Sequence, residues 1–115
     1  LLDTGHATFG GADPVAVAKK YRKRIAHVHC KDVRQDVLAT ARTKDWSFLD
    51  AVVEGCFTVP GDGMVNYPAV FAELPGYSGW LVVEAEQDPE KANPLKYATM
   101  GCNNLKRLAK DAKLT

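Results

Sequence analysis

The densest group of reactive side chains lies between Ile25 and Asp32, which reads I-A-H-V-H-C-K-D. In a strand, residues i and i+2 point to the same face, so His27 and His29 stand side by side. Imidazoles at a strand end are common donors to a divalent metal, and on spacing alone both rings are candidates. In parallel α/β architectures, ligands gather where strands end and loops begin. Three apolar stretches end in a polar residue: the first in Asp3, the second in His29, and G-W-L-V-V in Glu84. Two carboxylates and one imidazole from separate strands form an oxygen-and-nitrogen set that suits Mn²⁺, Co²⁺, Mg²⁺ or Zn²⁺. Cys30 has the opposite parity to His29, so the set contains no thiolate. Glu84 is the most telling member, because an apolar run that ends in an inward carboxylate needs a partner or a metal to offset burial. Each member also has a plainer role open to it. A strand-end Asp often caps a helix, and paired histidines can be buried and hydrogen-bonded.

Further polar residues flank this set. His6 follows Asp3 by three residues, placed to touch a sugar hydroxyl or pass a proton. Lys31, Asp32 and Arg34 follow the histidine strand directly and could hold hydroxyls or a polarised carbonyl, or form a charged loop. Glu86 shares a face with Glu84 if the strand continues. Asp62, in the P-G-D-G turn, stands just before a helix, where substrate can be reached.

Alternating strands and helices must position these residues. Leu1-Leu2-Asp3 reads as the tail of a strand, followed by the small-residue loop T-G-H-A-T-F-G-G-A. Asp13-Pro14 starts a helix, with Asp as the cap and Pro in the first turn. Its apolar stripe is Val15, Val17, Ala18 and Tyr21, and it closes in the cationic run K-K-Y-R-K-R. Ile25 to Cys30 forms the next strand. Lys31 to Lys44 reads as a charged loop with one short helical turn near Val37 to Ala41. Asp45 is the expected cap of a helix that carries Trp46, Phe48, Leu49, Val52 and Val53. Phe57 to Val59 is extended, and Asn66 to Leu74 is amphipathic. The apolar run ending at Glu84 reads as a parallel strand buried on both faces. Pro94 to about Lys113 forms the last helix.

The order strand, helix, strand, helix, helix, strand, helix implies parallel strands with right-handed crossovers. Three strands are too few to close a parallel barrel, and the chain reads as the last three βα units of one. It opens without Met on the end of a strand, which points to the C-terminal piece of a longer protein. Exposed strand edges and an uncovered sheet side then favour self-association, especially of the piece alone. The 46% apolar and 25% charged composition with net charge +1 argues against a dedicated nucleic-acid or membrane-surface binder. Cys30, Cys56 and Cys102 are odd in number and widely spaced, which fits reduced thiols in a cytoplasmic protein. The glycines form no phosphate-cradling pattern.

Four segments together carry a family resemblance: L-D-T-G-H, H-V-H-C-K-D-V, F-T-V-P-G-D-G and W-L-V-V-E-A-E-Q-D-P. Taken in order, they resemble the xylose-isomerase-like TIM-barrel superfamily of sugar isomerases, epimerases and endonuclease-IV-type proteins. Within it, the likeness is strongest to the metal-dependent lyases of myo-inositol catabolism that remove water from 2-keto-myo-inositol (scyllo-inosose). The resemblance implies a (β/α)8 barrel with helices outside, residues 1–115 forming the C-terminal part of its single domain. It implies that Asp3, His29 and Glu84 hold a divalent metal, Mn²⁺ or Co²⁺ first, with Zn²⁺ or Mg²⁺ as alternatives. His6 matches the histidine that reaches substrate; beside this, the positions themselves offer Glu84 or the absent acidic ligand as the base, Lys31 to steady the developing oxyanion, and His27, Asp32, Arg34, Asp62 and Glu86 to line the polyol ketone. A fourth, acidic ligand belongs to a preceding strand, so the piece alone is expected to be inactive. Isomerases and epimerases of the superfamily share this metal set and remain the alternative, as does a non-catalytic fragment.

Overall fold

In the computed structural model, which describes residues 1–114, the first strand ends where its own side chain starts a helix. Strand β1 (Leu2–Asp3) places the Asp3 carboxylate to accept the His6 N–H at 2.8 Å, and α1 (Thr4–Phe9) begins there. The loop expected over this stretch is therefore a helix. Its capping signal was masked by Gly5 and the Gly10-Gly11 pair, which score against a helix but here serve close packing and termination. Helix α2 (Pro14–Tyr21) follows from the Asp13 cap, and a 3₁₀ turn (Arg22–Arg24) leads to β2 (His27–Cys30).

Strand β2 alternates cleanly. Val28 and Cys30 are fully buried, while His27 and His29 face the other way. It is the middle strand of a parallel sheet ordered β1-β2-β5, with β5 running Trp80–Val83. Asp3 lies beside His29, and His29 beside Val82. The Glu84 N–H donates to the Cys30 carbonyl at 3.2 Å, carrying the pairing one residue further. Leu2, Val28 and Cys30 pack with Ala18 of α2, with Tyr67, Val70 and Phe71 of α5 (Tyr67–Ala72), with Leu74, and with Leu105 of α6 (Pro94–Asp111). The opposite sheet face carries Asp3 and the two histidines. This is an α/β arrangement of parallel strands with helices on one side, a partial barrel.

Four further expectations change. Strand β5 is not buried on both faces: Trp80 is 75% exposed and Leu81, Val82 and Val83 are only half-buried, the strand lying at the sheet edge among the described residues. Not all strands are parallel, because β3 (Asp32–Val33) and β4 (Phe57–Thr58) form a small antiparallel pair. The supposed loop after Lys31 contains a nine-residue helix, α3 (Gln35–Thr43), whose buried positions are only Leu38 and Ala41, too few to stand out among its charges. Helix α4 (Phe48–Val53) is capped by Ser47, in a reciprocal box with Asp50. Asp45 instead takes a left-handed turn, φ 51°, between the two helices. Val33 of β3, Leu38 and Ala41 of α3, Ala51 of α4, Cys56, and Phe57 of β4 form a second apolar cluster.

Candidate metal centre

Asp3, His29 and Glu84 offer one ligand atom each, and these atoms lie within 4.8 Å of one another. The local fold explains the convergence. Asp3 is held by its capping bond through Oδ1, which turns Oδ2 toward His29 Nδ1 (3.6 Å) and the Lys31 ammonium (3.3 Å). His29 sits beside it in register. Glu84 is two residues beyond Val82, and its Oε2 lies 2.7 Å from His29 Nδ1 and 3.5 Å from Lys31 Nζ. That oxygen is buried, and among the described residues no hydrogen bond reaches it. Donors that share one ion at about 2.1 Å stand about 3.0–3.4 Å apart. The two spacings to His29 Nδ1, 2.7 and 3.6 Å, fall on either side of that range, and the chemistry of the set, a buried oxygen without a partner, an imidazole nitrogen and a second carboxylate, fits a divalent cation.

The charge balance points the same way. Asp3, Glu84 and Glu86 bring three carboxylates to one ammonium, that of Lys31, whose side chain is 1% exposed. Burial alone would push the Lys31 pKa down. The Glu86 hydrogen bond and the charges of Asp3, Glu84 and Glu86 outweigh it, and the pKa lies above the ordinary lysine value. Glu86 shows the converse. Burial would raise it, but the bond and charge of Lys31, followed by those of His6, hold it below the ordinary range. Glu86 Oε1 accepts from Lys31 Nζ at 2.6 Å and lies 2.9 Å from His6 Nε2, which is itself 2.9 Å from Lys31 Nζ. The His6 ring packs against Phe48 and Phe57, and the Lys31 ammonium lies 5.4 Å from the centre of the Phe57 ring.

The structure thus brings together Asp3, His6, His29, Lys31, Glu84 and Glu86. His27 lies one layer deeper on the same face, its ring 5.3 Å from that of His29. Asp32 does not join them, and its expected role in substrate binding is corrected. It is fully buried, and its carboxylate accepts the N–H groups of Val33, Gly61 and Val65 at 2.9 Å each, so it has no face left for a substrate. Burial pushes its pKa up, against the backbone amides that pull it down. Arg34 and Asp62 meet each other (3.4 Å) rather than the carboxylate cluster, and Arg34 also donates to the Gly55 and Phe57 carbonyls. Cys30 faces the helices, and burial, with the Asp3 charge, pushes its thiol up to about 12. Its parity excluded a thiolate, and its environment agrees.

Sequence reasoning passed over Thr4, Gly5 and Tyr67. Thr4 Oγ1 contacts both the N–H (3.1 Å) and the carbonyl (2.7 Å) of Lys31, and the Tyr67 hydroxyl at 2.9 Å. A Cβ on Gly5 would lie 2.6 Å from Lys31 Cγ. The only signal in the sequence was the position of Thr4-Gly5 between two residues already singled out.

The family model described as xylose isomerase-like TIM barrel matches residues 1–109. The chain is 61% identical over 111 residues to the rhizopine catabolism protein MocC of Rhizobium meliloti, covering 95% of this chain and 34% of that protein. It is 56% identical over 100 residues to inosose dehydratase of Clostridium tetani, covering 85% of the chain. It is 54% identical, over the same share, to inosose dehydratase 1 of Bacillus cereus. The chain spans about a third (34%) of the length of these relatives.

Proposed function

From a chain that belongs to the xylose isomerase-like TIM barrel family, we propose that the full-length protein is an inosose dehydratase, a hydro-lyase that removes water from 2-keto-myo-inositol in the cytoplasm. The observation that carries this reading is the buried Lys31 ammonium set among Asp3, Glu84 and Glu86, beside the Asp3–His29–Glu84 ligand set. Likeness above 50% to two proteins named inosose dehydratase supports the substrate.

Dehydration next to a ketone needs a proton removed from the neighbouring carbon, charge held on the carbonyl oxygen, and a proton given to the departing hydroxyl. Asp3, His29 and Glu84 would hold a divalent cation, Mn²⁺ or Co²⁺ by preference, which supplies Lewis acidity at substrate oxygens when bound. Lys31 places a fixed positive charge in a water-poor site, where it stabilises the developing oxyanion. Its three carboxylate neighbours keep it protonated. Glu84 has an oxygen with no donor and serves as the base. His6 is more exposed than Lys31 and stands at the edge of the cluster, where its Nε2 can hand a proton to the leaving hydroxyl. Glu86 holds both Lys31 and His6 and faces the polyol hydroxyls, and His27 backs His29.

The test is incubation of the full-length protein with scyllo-inosose under each metal, following the diketone product. Loss of water in the wild type, with His6→Ala and Lys31→Met each slowed by about 10²-fold or more, is the expected result. Exchange of the α-proton with solvent without loss of water would make the protein an isomerase or epimerase instead.

A further inference from the structure

The Thr4 hydroxyl is saturated. A hydroxyl has one hydrogen to give and two lone pairs to fill. Thr4 Oγ1 gives its hydrogen to the Lys31 carbonyl at 2.7 Å, with the His29 carbonyl at 3.3 Å as a secondary acceptor. It accepts the Lys31 N–H at 3.1 Å. One lone pair remains, and the Tyr67 hydroxyl lies 2.9 Å away, so Tyr67 is the donor. Thr4 and Tyr67 are both buried, at 0% and 1% exposure, and neither can exchange these partners for water. Lys31 lies between β2 and β3 and belongs to neither. Its peptide groups are held by a side chain instead of a neighbouring strand.

The stem of Lys31 is constrained as well. It runs across Gly5, where a Cβ would lie 2.6–2.9 Å from three of its carbons. With the peptide fixed at one end and the stem confined, few orientations remain for the ammonium. The one adopted brings it within 2.6–3.5 Å of oxygens of Glu86, Asp3 and Glu84.

We infer that Thr4, backed by Tyr67, is a positioning residue: its hydroxyl clamps the Lys31 peptide and so aims the Lys31 ammonium at the reacting oxygen. Thr4 acts through Lys31, to whose peptide groups it makes its shorter contacts, the His29 carbonyl being the more distant acceptor. The inference rests on the dehydratase reading for its turnover test, and a second test stands apart from that reading.

In the full-length protein, Thr4→Val and Thr4→Ser are compared alone and over Lys31→Met. Thr4→Val removes the clamp at constant shape and lowers kcat by at least about tenfold, with KM changed by less than about twofold. Thr4→Ser keeps the hydroxyl and restores most of the rate. Over Lys31→Met, the Thr4→Val loss shrinks to less than about twofold, because the group it positions is gone. An undiminished loss in that background, or wild-type turnover in Thr4→Val, overturns the inference. Should Thr4→Val fail to fold, Tyr67→Phe carries the same cycle, with an expected loss of about threefold to tenfold. If the wild type removes no water from inosose, the dehydratase reading fails, and the clamp is judged on the ¹⁵N resonance of the Lys31 ammonium. A distinct, exchange-protected signal in wild type and Thr4→Ser that disappears in Thr4→Val supports it. An unchanged signal in Thr4→Val, or in Tyr67→Phe, overturns it.

Discussion

Lys31 is the residue on which the most depends. It is a buried cation facing three carboxylates, so its removal leaves negative charge without compensation. Breaking a buried pair by deleting one partner costs about 3–5 kcal/mol. The carboxylates here are partly exposed, so the expected loss for Lys31→Met is about 3 kcal/mol at most, read from urea unfolding. The pH dependence follows from two shifts. The Lys31 pKa is raised in the folded state, so its contribution is full below the unfolded lysine value of about 10.4 and is lost as pH rises through the folded value. The Glu86 pKa is lowered, so its contribution is present above about 4.3 and is lost as pH falls through its folded value. Urea midpoints measured across pH should fall at both ends, and the alkaline fall, which the raised Cys30 thiol shares, should be shallower in Lys31→Met. At this scale the sequence was most legible where residue type and strand parity coincide, as for Asp3, His29 and Glu84. It was least legible for Thr4 and Tyr67, whose importance comes from one shared hydroxyl contact across 63 residues.

At the scale of elements, the loop from Pro60 to Val65 depends on Asp32. This aspartate reads in sequence as a charge in a loop. In the fold it is a buried acceptor for the amides of Gly61 and Val65, and a Cβ on Gly63 would meet its Oδ1 at 2.5 Å. Asp32→Asn turns an amide NH₂ toward at least one N–H group and leaves a donor against a donor. The expected cost is about 1–3 kcal/mol in folding stability, with the β3–β4 pair the first region to lose exchange protection. Hydrogen exchange measured on the variant checks both. The helices that sequence reasoning missed share one cause. Helix α1 carries Gly5 for the passage of Lys31, and α3 buries only Leu38 and Ala41, so each lacks the periodic apolar stripe that identifies a helix. Helices α2, α5 and α6 carry Asp or Asn caps followed by Pro in the first turn, and their starts were readable.

At the scale of the molecule, one sheet face is covered by helices and the other is not, and β5 leaves an edge with Trp80 75% exposed and Leu1 70% exposed at the far side. We expect the 115-residue chain, handled alone, to associate with itself at rising concentration. Light scattering checks this, and Trp80→Lys should shift the average mass downward; a monomer at all concentrations would contradict it. Across the whole arrangement, Asp3 joins two structures with a single carboxylate. One oxygen holds the first turn of α1, and the other faces His29 and Lys31. By thermodynamic reciprocity, whatever draws on the second oxygen also alters the grip of the first, so the loading of the centre and the fraying of a six-residue helix share one free energy.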